Sequence, residues 1–208
     1  MIKNIIFDLG NVIVQNPSID LVKEFFIEEK DAITFNEYIF KSDFWKMLDL
    51  GKMDNIEVAN IIREQKLVNV KNFDEVTNFM LNWFSKCNVN IETMKIGEIL
   101  KQNGYKIYIL SNMAKRTYAY FLSRYDFFNM ADGTIISAYE GIKKPNLKIF
   151  ERLLKKYSLI AQESLLIDDD DTNKTLEVAN AIGIKGRRVN ANDFKDVKKL
   201  LIENGIDI

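Results

Sequence analysis

The sequence contains no histidine and a single cysteine, Cys87. Without histidine there is no Ser-His-Asp or Cys-His pair, no His-Glu-x-x-His zinc site and no imidazole base. One cysteine excludes an intrachain disulfide and a thiolate metal cluster, and Cys87 reads as a buried or incidental thiol in a reducing compartment. Proline is equally scarce: Pro17 and Pro145 are the only two, and both fall near predicted loops. Apolar runs such as Asn4–Phe7 and Ile107–Leu110 are far too short to span a bilayer, and the N-terminus lacks the long apolar stretch of a secretory signal. Neither sign of charge dominates. The 29 Lys+Arg and 30 Asp+Glu leave a net charge of -1, which gives no electrostatic case for nucleic acid or an anionic membrane surface. These absences lead us to expect a cytoplasmic protein whose chemistry rests on carboxylates, Lys/Arg, hydroxyls, amides and any metal they bind.

What is present is an ordinary globular balance, 47% hydrophobic and 28% charged over 208 residues. That length suits one domain, or one domain carrying an insertion, and buries roughly 70% of the unfolded surface. Five short apolar segments bounded by turn residues read as strands: Lys3–Asp8, Tyr105–Leu110, Gly133–Ser137, Ser164–Ile167 and the weaker Ile184–Val189. Helical spacing recurs over Ile91–Gln102, with Met94, Ile96, Ile99 and Leu100 on its apolar face, and over Ala114–Tyr125, Leu147–Tyr157, Thr172–Ile182 and Phe194–Glu203. The alternation predicts a parallel sheet wrapped by helices. From about Ser18 to Cys87 it breaks down. That stretch has no convincing strand but has apolar helical faces at Leu21/Val22/Phe25/Phe26, Ile56/Ala59/Ile61/Ile62 and Val76/Phe79/Met80/Trp83/Phe84. We expect a helical insertion between the first two strands, over the carboxyl edge where open α/β sheets bind ligands.

Four polar clusters fall at predicted strand or loop ends. Asp8 follows the first strand, where an acid either caps a turn or acts as nucleophile or metal ligand. Ser111-Asn112 follows the second and either starts a helix or holds an anion. Lys143-Lys144-Pro145 precedes the Leu147 helix, where a lysine either solvates a loop or neutralises a phosphate. Asp168-Asp169-Asp170-Asp171 places four acids in a row, which repel unless a cation such as Mg²⁺ offsets them or they form an exposed acidic turn.

The order acid, serine, lysine, acid pair resembles the haloacid dehalogenase (HAD) superfamily of hydrolases over nearly the whole chain. Phe7-Asp8-Leu9-Gly10-Asn11-Val12-Ile13 is similar to its first motif and Leu110-Ser111-Asn112 to its second. Gly141 to Phe150 is similar to the third, and Leu165-Leu166-Ile167-Asp168-Asp169 to the fourth. Asp49-Leu50-Gly51-Lys52 resembles a recurrent turn of the family's C1-type α-helical cap. Among branches, the Phe-Asp-Leu-Gly-Asn-Val start is similar to α-glucose-1-phosphatase-like enzymes.

The resemblance implies a Rossmann-like, doubly wound parallel α/β core over residues 1–15 and 88–208, with a helical cap over 16–87. It implies a Mg²⁺-dependent phosphatase acting on a small phosphorylated metabolite, a sugar phosphate by branch, through an aspartyl-phosphate on Asp8. Ser111, Asn112 and Lys144 would bind the phosphate, with Ser111 and Lys144 also catalytic. Mg²⁺ would sit among Asp8, the backbone carbonyl of Gly10, Asp168 and Asp169. Two departures stand out. The family's phosphatases usually carry a second Asp, the proton carrier, where this chain has Gly10. Either another group replaces it, such as an acid of the Asp168–Asp171 run or a cap residue, or the substrate has a good leaving group, or the enzyme is slow. And counting back from Gly183 favours Asp170-Asp171 as the acid pair, whereas counting from the strand favours Asp168-Asp169. Alternatives are a dehalogenase-type hydrolase using Asp8, or a non-catalytic phosphate-binding or partner-binding protein. The aromatics Trp45, Trp83 and Phe84 are read as packing, and the sequence assigns no oligomeric state.

Overall fold

The computed structural model describes residues 1–170, 172 and 174–208. β1 (Asn4–Phe7) is followed by α1 (Ile19–Lys23), α2 (Glu29–Ile39), α3 (Asp43–Asp49), α4 (Asn55–Glu64), α5 (Phe73–Asn82) and a 3-10 turn at Trp83–Lys86. Then come α6 (Ile91–Gln102), β2 (Lys106–Ser111), α7 (Lys115–Leu122), α8 (Asp126–Met130), β3 (Gly133–Ile136), α9 (Ser137–Glu140) and α10 (Leu147–Lys156). The chain ends with β4 (Ser164–Asp168), α11 (Lys174–Ala181), β5 (Lys185–Arg188) and α12 (Phe194–Glu203). The predicted strands therefore form, as do the five predicted core helices, with ends moved by a few residues.

All strands pair in parallel, in the order β3-β2-β1-β4-β5. Strands covered on both faces need continuous apolar runs, and Asn4–Phe7 is buried throughout. Successive residues feed opposite faces. Ile5, Phe7, Ile107, Ile109, Leu165 and Ile167 enter one apolar cluster with α6, α8 and α12. Ile6, Tyr108, Leu110 and Leu166 enter a second with α10 and α11. This is a doubly wound sheet. The chain leaves β1 toward β2 and β3, then re-enters on the other side of β1 at β4, so the order reverses beside β1.

Register sets the functional edge. Phe7 pairs with both Ile109 and Ile167. Asp8 therefore emerges level with the end of β4, where its amide donates to the Ile167 carbonyl at 2.9 Å. Ser111 and Asp168 are the last residues of their strands.

The helices α1 to α5 lie between β1 and β2 in sequence. The two crossings that join them to the sheet run side by side: Val14 bridges Val89, Gln15 N–H donates to Asn88 O at 2.9 Å, and Asn90 N–H to Ile13 O at 2.7 Å. Inside this insert the rings of Phe25, Phe35 and Phe40 pack around Phe79, and Trp45 packs on Phe40 and Trp83. Two expected core positions are not core. Ile56 is half exposed because α4 buries Asn55, Val58, Ala59 and Ile62 instead, and Ile99 faces out while Thr93, Met94, Ile96, Gly97 and Leu100 form the buried stripe of α6. One insert turn is docked on the core by close backbone approach. Gly51 follows α3 with φ of +63°, and a Cβ there would lie 2.0 Å from the Ala138 carbonyl oxygen.

Gly51→Ala should therefore destabilise the protein by about 2 kcal/mol or more, from left-handed strain plus the clash. Gly104, also left-handed but with nothing near its missing Cβ, should cost only about 1 kcal/mol when replaced by Ala. Denaturant unfolding of the two variants side by side checks this, and equal losses would remove the docking contact from the account.

Candidate active site

Asp8, Ser111, Lys144 and Asp168 are all buried at the carboxyl edge of the sheet. Lys144 Nζ lies 2.6 Å from Asp168 Oδ2 and 3.0 Å from Asp8 Oδ1, so one ammonium bridges two carboxylates. Leu9 N–H also donates to Asp8 Oδ1 at 2.7 Å, and Asp170 N–H to Asp168 Oδ1 at 2.9 Å. Lys144 is held from behind by Asn112. The Asn112 Oδ1 accepts the Lys144 N–H at 2.8 Å, and its Nδ2 donates to the Lys144 carbonyl at 3.0 Å. Asn112, expected to bind phosphate, thus has its amide committed to positioning the lysine that does the pairing. The Lys144–Pro145 peptide is cis. The neighbouring Lys143 points to a different acid, with Nζ 3.1 Å from Asp49 Oδ2.

Ser111 does not start the next helix. The N-cap of α7 is Ala114, and the Ser111 hydroxyl is buried without a hydrogen-bond partner among the described residues. A buried hydroxyl left unpaired beside a charged group is a waiting donor. It stands near Asp8, whose charged form it favours.

Of the acid run, Asp168 and Asp169 join Asp8. One carboxylate oxygen from each lies within 4.8 Å of the others. Asp170 turns away: it accepts from Thr172 Oγ1 at 2.6 Å and from Thr175 N–H at 2.6 Å, tying down the approach to α11. Asp171 lies outside the described residues.

Electrostatics follow from this crowding. Burial pushes the Asp8 carboxyl up to about 7, with Lys144 opposing and Asp168 reinforcing. Burial would lower Lys144, but Asp168 and Asp8 outweigh it and hold the ammonium above its ordinary range. Burial raises Asp169 as well, against the hydrogen bond from Asn11. An all-oxygen donor set with excess negative charge suits a hard divalent cation. No hydrogen bond among the described residues reaches the Gly10 carbonyl, and Gly10 lines the cavity above the acids. The residues present therefore fit Mg²⁺.

That cavity, of about 670 Å³, is roofed by the insert: Phe40, Trp45 and Asp49 face Asp8, Asn112, Lys144 and Asp168 across it. Sequence reasoning missed Asn11. Its φ of +51° lets Nδ2 reach Asp169 Oδ2 at 2.9 Å while Oδ1 accepts the Asn16 N–H. Asparagine tolerates this left-handed backbone better than most residues, which was the available signal. Trp45, read as packing, both packs and lines the cavity, and Arg188 lines it as well. Cys87 is half-buried, its thiol pushed by burial up to about 12, which leaves it inert.

The haloacid dehalogenase-like hydrolase family matches residues 2–181. The chain belongs to that family. A curated relative, the sesquiterpene phosphatase astK of Aspergillus oryzae, is 25% identical over 186 residues, 88% of each chain. A glyceraldehyde 3-phosphate phosphatase of Pyrococcus abyssi is 33% identical over 70 residues, 34% of this chain and 29% of the other. Among solved structures, an HAD family enzyme of Bacteroides thetaiotaomicron superposes with a TM-score of 0.73 at 23% identity, covering 96% of this chain and 98% of that one. It has also been crystallised with magnesium and inorganic phosphate. The L-2-haloacid dehalogenase of Xanthobacter autotrophicus shares the fold at a TM-score of 0.65 and 15% identity, over 100% of this chain and 85% of that one. The protein is thus an HAD-fold hydrolase. No described helix is long and apolar enough to cross a membrane.

The raised Asp8 value has a sign that can be tested without substrate. Asp8 titrates at 3.8 when unfolded and near 7 when folded, so its contribution to stability falls as pH rises from about 4 to 7. Lys144 stays charged throughout that window. Asp8→Asn removes the penalty, so in EDTA its melting temperature relative to wild type should be higher at pH 8 than at pH 5. A difference independent of pH would show that Asp8 is not held protonated by its surroundings.

Proposed function

We propose that this HAD hydrolase is a Mg²⁺-dependent phosphomonoesterase, with Asp8 as nucleophile. The observation that carries the reading is the Lys144 ammonium wedged between Asp8 and Asp168, with a third carboxylate, Asp169, in the same group. The phosphatase-named relatives and a structural neighbour holding magnesium and phosphate support it.

Asp8, Asp168, Asp169 and the Gly10 carbonyl would hold the cation. When bound it supplies charge compensation between carboxylate and phosphate and polarises the phosphoryl oxygens. Leu9 N–H and Lys144 fix Asp8 through Oδ1, leaving Oδ2 without a hydrogen bond among the described residues and available to attack phosphorus. Lys144 and the unpaired Ser111 hydroxyl face the charge that develops on the phosphoryl group. Attack gives an aspartyl-phosphate and frees the alcohol; water then cleaves the acyl phosphate and returns Asp8. The insert over the cavity acts as the cap that excludes water and selects the alcohol. A sugar or another small polyol phosphate suits a cavity whose walls carry asparagines, acids and two aromatic rings. The crowding of three carboxylates favours this over carbon–halogen hydrolysis, which needs no cation.

Phosphate release from a panel of small sugar, polyol and nucleoside monophosphates, with Mg²⁺ or EDTA, tests the reading. Release should need Mg²⁺ and fall at least about 10³-fold in Asp8→Asn. Equal release by wild type and variant would remove Asp8 from the mechanism.

A further inference from the structure

Gly10 leaves the chain without an acid two residues beyond its nucleophile, yet expelling an alcohol from a phosphate ester requires a proton. The described carboxylates around the cavity are Asp8, Asp49, Asp168, Asp169 and Asp170. Four are already committed. Asp8 is the nucleophile, and Asp168 is bonded to Lys144 and to the Asp170 N–H. Asp169 belongs to the carboxylate group of the cation site, and Asp170 is bonded to Thr172 and Thr175. Asp49 is different. It ends α3 on the roof of the cavity, its side chain 13% exposed; Oδ2 accepts from Lys143, and Oδ1 accepts no hydrogen bond among the described residues. Its backbone is anchored too, since the Ser137 hydroxyl donates to the Asp49 carbonyl at 2.5 Å.

We propose that Asp49, contributed by the insert, is the general acid–base that Gly10 cannot be. This rests on the phosphatase reading above. In the first step Asp8 Oδ2 bonds to phosphorus, the phosphorus–oxygen bond to the alcohol breaks, and the leaving oxygen takes the Asp49 proton. In the second, Asp49 carboxylate takes a proton from water as its oxygen bonds to phosphorus and the bond to Asp8 breaks. Phosphate leaves and Asp49 is protonated again. Burial raises the Asp49 carboxyl while Lys143, the charged group that faces it, opposes, which is the balance a proton carrier needs.

Leaving-group dependence tests this. For p-nitrophenyl phosphate the departing phenolate needs no proton, whereas an alkyl phosphate does. The value of kcat/KM reports the first step alone for both. In Asp49→Asn, kcat/KM for the best alkyl phosphate of the panel should fall about 10²–10⁴-fold, and for p-nitrophenyl phosphate less than about 10-fold. Asp49→Ser, which removes the carboxyl without placing an amide against Lys143, should behave alike. Ser137→Ala, which loosens the same turn but keeps the carboxyl, should lower both substrates equally. Equal losses on both substrates in the Asp49 variants, or no loss, would overturn the proposal. If wild type and Asp8→Asn hydrolyse neither ester, it is the phosphatase reading that has failed.

Discussion

One buried ammonium organises this molecule. Lys144 sits between Asp8 and Asp168, both buried, at the carboxyl edge of the sheet. Burying each of these charges costs several kcal/mol, and the mutual attraction repays it only if the geometry is held closely. Three adjacent strands supply the hold. The pairing of Phe7 with Ile167 brings Asp8 level with Asp168, and Asn112, just beyond β2, grips the Lys144 backbone with both ends of its amide. A slip of one residue in β1 or β4 would turn an acid into the apolar layer. The apolar faces of the sheet and its polar edge are therefore two consequences of one register.

The second constraint is the seat of the insert. It is hydrogen-bonded to the core near α9, where the Ser137 hydroxyl donates to the Asp49 carbonyl and accepts the Met113 N–H, and again at α7, where Arg116 Nε donates to the Leu81 carbonyl. Gly51 lets the following turn lie against Ala138. Lys143 reaches up to Asp49 while Lys144 reaches across to Asp8, so two consecutive lysines link the roof of the cavity to its floor.

The core was legible because parallel strands buried on both faces leave unbroken apolar words such as Ile5-Ile6-Phe7 and Leu165-Leu166-Ile167, each ending in an acid. Of the two adjacent lysines, Lys144 lies beside Asp8 and Asp168 and Lys143 beside Asp49. Within the insert the reading was coarser. α2 and α3 were not seen as separate helices, because α3 is only seven residues long and their packing is aromatic, made with residues distant in sequence. Asp49 sat in a recognised turn, but nothing local says that its side chain faces the cavity. The two-way use of Asn112 and the reach of Asn11 to Asp169 are likewise tertiary facts, set by which loops the register brings together.

Three carboxylates against one ammonium leave the floor of the cavity with a formal charge of -2. A phosphate monoester brings more of the same sign, and two unit charges 4 Å apart repel by about 4 kcal/mol at the effective dielectric of a protein surface. Ester and cation therefore have reason to enter together, since burial, reinforced by the charge of Asp168, already pushes Asp8 and Asp169 up. The Asp49–Lys143 pair on the roof carries no net formal charge and is outside that repulsion. A proton taken up by Asp49 there makes no demand on the carboxylates below. In a chain without histidine, placing the proton carrier on the insert and the charge compensation in the core keeps the two tasks from opposing each other.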